Sequence, residues 1–244
     1  MLYLIGTGLF YLNDLPLRAV DLLSKADEVF MENYTNLIDM SFLGPLEKTI
    51  GKKITLIGRE ETENESILAD ADKKTVCLLV PGDPLAATTH MSLILACRKS
   101  GIKTRVVHAS SIFSAIAETG LSLYKFGATV SIPLYEKNFT PDSFFDGIKN
   151  NLDKGFHTLV LLEARSEKEF VDANTAVELI KNIEKRKGLR IIDWRNVLYA
   201  SRLGSDESKI GFTEKLDVDL KPPISLVIPG RLNEIEKEAL DSIN

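Results

Sequence analysis

Five short apolar runs in the first 108 residues constrain this chain most. They are "LYLI" (2–5), "EVFM" (28–31), "KITLI" (53–57), "TVCLLV" (75–80) and "KTRVVH" (103–108). Each is mostly apolar and rich in β-branched side chains, the texture of parallel strands buried on both faces. Helical patterns fall between them. Leu15, Ala19, Leu22, Leu23 and Ala26 form one stripe over 15–26, with Asn13 or Asp14 available as cap and Pro16 suited to the first turn. A short polar helix is expected over 64–72 and a largely apolar one over 88–99. This alternation predicts right-handed βαβ crossovers and a mostly parallel sheet.

After about residue 120 the texture changes. Strands are expected at "ATVSI" (128–132), "HTLVLL" (157–162), "RNVLYA" (195–200) and "ISLVI" (224–228). One helix should start at Thr140-Pro141-Asp142 and bury Phe144, Phe145, Ile148 and Leu152. Another places Ala176, Val177, Ile180 and Ile183 on one face. The polar segment 203–222 reads as a loop or hairpin. The expected architecture is therefore α/β in two domains, 1–120 and 121–244, hinged near "TGLSLYKFG" (119–127).

Composition narrows the function. A length of 244 residues allows one large domain or two small ones. A net charge of −5 argues against a general nucleic-acid binder, which needs clustered positive charge. Cys77 and Cys97 lack CxxC spacing and read as core thiols, not as metal ligands or a disulfide. His90, His108 and His157 have no metal-like spacing and should pack or hydrogen-bond. The acids of "REETENE" (59–65) suit a solvated helix start, and Trp194 a core or interface position. The apolar start "MLYLIGTGLFYL" has no basic n-region and is too short to span a bilayer, so a soluble cytoplasmic protein without membrane contact is expected.

Three strand exits share one design: "LIGTGLF", "VPGDPLA" and "VHASSIFSA". In a parallel sheet all strands end on one edge, where ligands bind. Gly6, Gly8 and Gly82 bring backbone close to a ligand, and Ala86, Ala87, Ala109, Ser110 and Ser111 keep the rim small. The dinucleotide fingerprint is incomplete because residue 11 is Tyr, and no GxxxxGK[ST] exists. Asp83 would repel a pyrophosphate and suits a cation or hydroxyl groups. S-adenosylmethionine offers an ammonium, a sulfonium and a ribose. Asp83 also reads as the N-cap of a helix starting at Pro84, and one residue can do both.

"YLIGTGL", "ENYTN", "PGDPLAATTH", "HASSIFSAIAETGLSLYKFG" and "HTLVLLEARSE" together resemble the archaeal-type diphthine synthase branch of the tetrapyrrole methylases, the class III S-adenosylmethionine-dependent methyltransferases. The resemblance runs from residue 1 to about 240; the GDP turn belongs to the whole superfamily, "ATTH" and "GLSLYKFG" to this branch. It implies a homodimer of two α/β domains, the first with a mostly parallel sheet and the second with a mixed sheet, and S-adenosylmethionine in the cleft between the domains. By motif position it implies cofactor contacts from Leu9, Asp83, Ala86, Ser111, Ile112 and Leu162, and from Leu203 and Asn233. No catalytic residue is implied, and plain core packing is the alternative for Leu9, Ile112 and Leu162. The implied reaction is methylation of the amino group on the 3-amino-3-carboxypropyl-histidine of translation elongation factor 2, leading to diphthamide. The competing readings are a precorrin-type methyltransferase of the same fold, a nicotinamide-dependent oxidoreductase, and a non-catalytic cofactor-binding module.

Overall fold

The computed structural model describes residues 1–10, 12–34, 40–166, 168–216 and 219–243. Tyr11, Thr35, Asn36 and Glu167, which belong to stretches used above, and Asp217 and Val218 of the 203–222 segment, lie outside the described residues. The chain divides into two compact units, Met1–Phe113 and Ser114–Asn244.

The first unit holds β1 (Leu2–Gly6), α1 (Leu17–Lys25), β2 (Glu28–Glu32), α2 (Leu43–Ile50), β3 (Thr55–Ile57), α3 (Arg59–Glu63), β4 (Val76–Val80), α4 (Met91–Lys99) and β5 (Thr104–Val107); α5 (Ile112–Ala115) spans the division. Its sheet has the order β3-β2-β4-β1-β5, parallel throughout. All five residues of β4 are fully buried because both faces are covered. Cys77 and Leu79 join Ile5, Ala19, Leu23 and Leu46 on one side. Val76, Leu78 and Val80 join Leu4, Leu93 and Cys97 on the other. Each buried Val or Leu contributes about 1.5–3 kcal/mol. The same burial pushes the Cys77 thiol up to about 12, so it is inert.

Several helix starts differ from expectation for local reasons. Glu65 has φ +61°, which interrupts a helix over 64–72; α3 ends before it, and only a single 3-10 turn, Ser66–Leu68, follows. Pro16 is the N-cap of α1, and Asp14 instead accepts the Phe10 N–H at 2.8 Å. The apolar helix begins at Met91, three residues late, because 84–90 folds as a loop with Ala87 at φ +57°.

The second unit holds β6 (Val130–Ile132), α6 (Ser143–Asp153), β7 (Thr158–Leu162), β8 (Ala164–Ser166), β9 (Glu169–Phe170), α7 (Ala173–Arg186), β10 (Leu198–Ser201), β11 (Lys209–Phe212), β12 (Ile224–Ile228) and α8 (Glu234–Asp241). Its sheet, β11-β10-β12-β7-β6, is mixed: only β6 and β7 run parallel. The 203–222 segment supplies β11, which forms a hairpin with β10. Phe144, Phe145 and Ile148 of α6 and Ala176, Val177, Ile180 and Ile183 of α7 fill its core. Asp142, the expected cap region, makes no cap hydrogen bond, since its carboxylate pairs with Arg186 at 2.5 Å. Trp194 packs against this core and donates its Nε1–H to Glu184 at 3.1 Å. Among the described residues no helix is long and apolar enough to cross a membrane.

Candidate functional site

The order of the first sheet places β4, β1 and β5 side by side, so the three strand exits are neighbours on one edge. Main-chain bonds join the first two. Gly8 N donates to Gly82 O at 3.3 Å, and Gly82 N donates to Gly8 O at 2.9 Å. Gly6 sits where all three exits meet. A Cβ there would lie 2.5 Å from Gly82 O, 2.8 Å from the Ala109 Cβ and 3.0 Å from Pro84 Cδ. Gly82, at φ +73°, supplies a left-handed turn that leaves Ser111 as the nearest neighbour of its missing side chain.

Asp83 is not the cap of α4. Its Oδ1 accepts the Leu85 N–H at 2.9 Å, an Asx turn that starts the loop. Its Oδ2 accepts from His108 Nδ1 at 2.8 Å and from the Ala109 N–H at 3.2 Å, tying the β4 exit to the β5 exit. A carboxylate has about four acceptor sites, so about one remains for a ligand. Thr7 lies in the β1 exit and is buried, yet its hydroxyl has no hydrogen-bond partner among the described residues. Such a group carries a desolvation penalty of about 1–3 kcal/mol until something bonds to it.

Under the rim, His90 is fully buried between two elements. Its Nδ1 donates to Pro84 O at 3.1 Å, and Nε2 meets Glu32 Oε2 at the end of β2 at 2.6 Å. Two hydrogen bonds need two protons, one on Nδ1 and one shared between Nε2 and Oε2. The pair anchors the loop that carries Asp83. No local pattern announces it, because 58 positions separate the partners.

Of the residues singled out from the sequence, Leu9, Asp83, Ala86, Ser111 and Ile112 all lie in these exits of the first unit. Leu9, Ala86 and Ile112 are half-buried, and Ser111 is buried. The other three belong to the second unit. Leu162 ends β7 within the core, Leu203 is buried just after β10, and Asn233 caps α8, its Oδ1 accepting the Glu236 N–H at 2.9 Å. The sequence did not single out Thr7, nor the pairing of His90 with Glu32 or of His108 with Asp83. Only the place of His108 directly after a strand of the rim could have marked it.

The second unit contains its own polar cluster, built from "GLSLYKFG" and α8. Glu236 accepts from Lys125 Nζ, from Asn233 N at 2.9 Å, and from Ser122 N and His157 Nε2 at 3.1 Å each. Burial by itself would raise this carboxyl, but the four donors outweigh it and bring it down to about 2. His157 Nδ1 accepts the Gly230 N–H at 2.9 Å, so the ring is neutral with its proton on Nε2. Burial, against the pull of Glu236, holds its imidazole below the ordinary value. Among the described residues no group of three or more His, Cys, Asp or Glu could hold a metal ion.

The family model for Tetrapyrrole (Corrin/Porphyrin) Methylases matches residues 1–217. A diphthine synthase from Methanococcus maripaludis strain C6 is 36% identical over 98% of this chain and 97% of its own length. That likeness decides the family. The chain belongs to the diphthine synthases. A second member, from Methanocaldococcus jannaschii, is 37% identical over 98% of this chain and 97% of its own. A diphthine synthase of known crystal structure matches with TM-score 0.85 and 30% identity, over 99% of this chain and 95% of that one. As a diphthine synthase of the tetrapyrrole methylase fold, this chain is a methyltransferase.

Proposed function

We propose that this chain transfers methyl groups from S-adenosylmethionine to the amino group of 3-amino-3-carboxypropyl-histidine on translation elongation factor 2. The observation that carries this is the likeness to diphthine synthases along 98% of the chain. S-adenosylmethionine supplies a methyl group on a positively charged sulfur. The rim suits such a ligand: an acid with a spare acceptor site at Asp83, an unpartnered buried hydroxyl at Thr7, and a glycine junction at Gly6 with no space for a side chain. Asp83 and Thr7 would bond the ammonium or ribose hydroxyls of the cofactor. Leu9, Ala86, Ser111 and Ile112 would line it in the first unit, and Leu162, Leu203 and Asn233 would contact it from the second. With its Oδ1 engaged in the cap of α8, Asn233 would contribute its amide N–H or main chain. The protein's part is orientation and exclusion of water. A cytoplasmic homodimer acting on the elongation factor completes this reading.

The family model's description favours one other substrate, a tetrapyrrole. A carboxylate-rich tetrapyrrole should meet Arg or Lys, and the stretches 6–12, 80–90 and 107–112 contain neither. Intact mass of elongation factor carrying the aminocarboxypropyl histidine, after incubation with this protein and S-adenosylmethionine, tests the proposal. Successive methyl increments that vanish when the target histidine is replaced are expected. No increment, with cofactor still bound, would move the acceptor to another class.

A further inference from the structure

The rim also holds an ionisable side chain, His108, that the proposed function leaves idle. His108 directly follows β5, and its Nδ1 faces Asp83 Oδ2 at 2.8 Å. Oδ2 also accepts the Ala109 N–H, and an ionised carboxylate only accepts. Nδ1 therefore carries the ring proton and donates it, which leaves the lone pair of the neutral imidazole on Nε2. The His108 side chain is 67% exposed, against 13% for Asp83. The ring is thus held by one edge, with its basic nitrogen open. A carboxylate fixing Nδ1–H while Nε2 stays available is the arrangement that makes histidine a general base in hydrolase triads.

We propose that His108, oriented by Asp83, is the catalytic base that takes protons from the substrate nitrogen between successive methyl transfers. This rests on the reading above, that the acceptor is an amine methylated more than once. Each transfer forms an N–CH3 bond with the nitrogen lone pair, while the C–S electron pair leaves with sulfur. The nitrogen is then positive and, until it is quaternary, still bears N–H. Another transfer has to wait until one N–H bond breaks and its electron pair returns to nitrogen. That proton forms a new bond to Nε2 of His108. The imidazolium is stabilised by the Asp83 carboxylate, and the exposed ring hands its proton to water. A single methyl transfer needs only one neutral amine, whereas repeated transfer needs this reset each time.

His108→Asn separates a base from a mere support for Asp83. The Asn amide nitrogen takes the place of Nδ1 and can still donate to Asp83, but nothing replaces Nε2. In calorimetric titration the variant should retain S-adenosylmethionine binding. By intact mass, its transfers should slow by about 100-fold or more, with partly methylated product accumulating. Added imidazole should restore rate to His108→Ala. Nitrogen-15 NMR of the free protein should show the proton on Nδ1 of His108, and Asp83→Asn should abolish that preference. Wild-type rates in His108→Asn, or parallel loss of cofactor binding and of every transfer step, would overturn the proposal. So would an NMR tautomer with the proton on Nε2. If the wild type itself adds no methyl groups while the tautomer is as described, the substrate reading fails first, and the proposal falls with it.

Discussion

Replacing Glu236 by Gln removes one negative charge from a site with four hydrogen-bond donors, Lys125, His157 and the N–H groups of Ser122 and Asn233. A carboxyl whose ordinary value is 4.5 titrates at about 2 in the folded chain. At about 1.4 kcal/mol for each tenfold change, the folded state favours the charged form by about 3 kcal/mol. The sign follows from the depressed value. This stability is fully present above pH 4.5 and is lost as pH falls toward about 2. His157, also depressed, adds a loss in the same direction that begins below its ordinary 6.5. Trp194 is the sole tryptophan and lies in the same unit, so its fluorescence follows unfolding of that unit. In urea at pH 7, Glu236→Gln should lose about 3 kcal/mol, and its stability should flatten between pH 4.5 and about 2, where the wild type declines. A loss under about 1 kcal/mol, or an unchanged acid limb, would refute the charge-network account.

Asp83→Ala should weaken S-adenosylmethionine binding more than it weakens folding, as compared by titration and by unfolding; unchanged affinity with a large stability loss would reduce Asp83 to a turn residue. Thr7→Val keeps the shape and removes a hydroxyl that has no partner among the described residues. It should raise the stability of the ligand-free protein by about 1 kcal/mol while lowering cofactor affinity, two opposite signs that calorimetry and thermal unfolding can read together. Gly6→Ala forces a methyl against Gly82 O at 2.5 Å. It should cost about 1–3 kcal/mol in unfolding and spread the β1 and β4 exits, with cofactor affinity falling in the same variant.

Strands buried on both faces were easy to read because they leave an unbroken apolar run, as in β4, whereas the short, mostly exposed β8 and β9 left none. Helices were legible where one face is apolar, as in α7, and illegible where it is thin. In α8, "EIEKEALD", only Leu240 and Glu236 are buried, too little for a stripe. α2 hides behind Gly44 and Pro45 in its first turn, residues that read as loop. The GDP turn shows a different limit. Asp followed by Pro suits both a helix cap and an Asx turn, and the choice depends on the loop through His90, held by Glu32 from another strand. Three exits with one composition were visible in the sequence. Their adjacency was not, because strand order is a property of pairing.

The place of β1 between β4 and β5 also bears on how the protein is made. Its Leu2 pairs with Val76 of β4 and with Thr104 of β5. At about 5–20 residues per second, a ribosome needs on the order of 5–20 s to travel from one end of that second pairing to the other. For most of that interval a nearly all-apolar strand has neither neighbour, and for the rest it has β4 alone, which makes it a natural client for a holding chaperone. The three exits of the rim come together only when both neighbours have joined β1. β1 is a keystone, set only when the last strand of its sheet arrives.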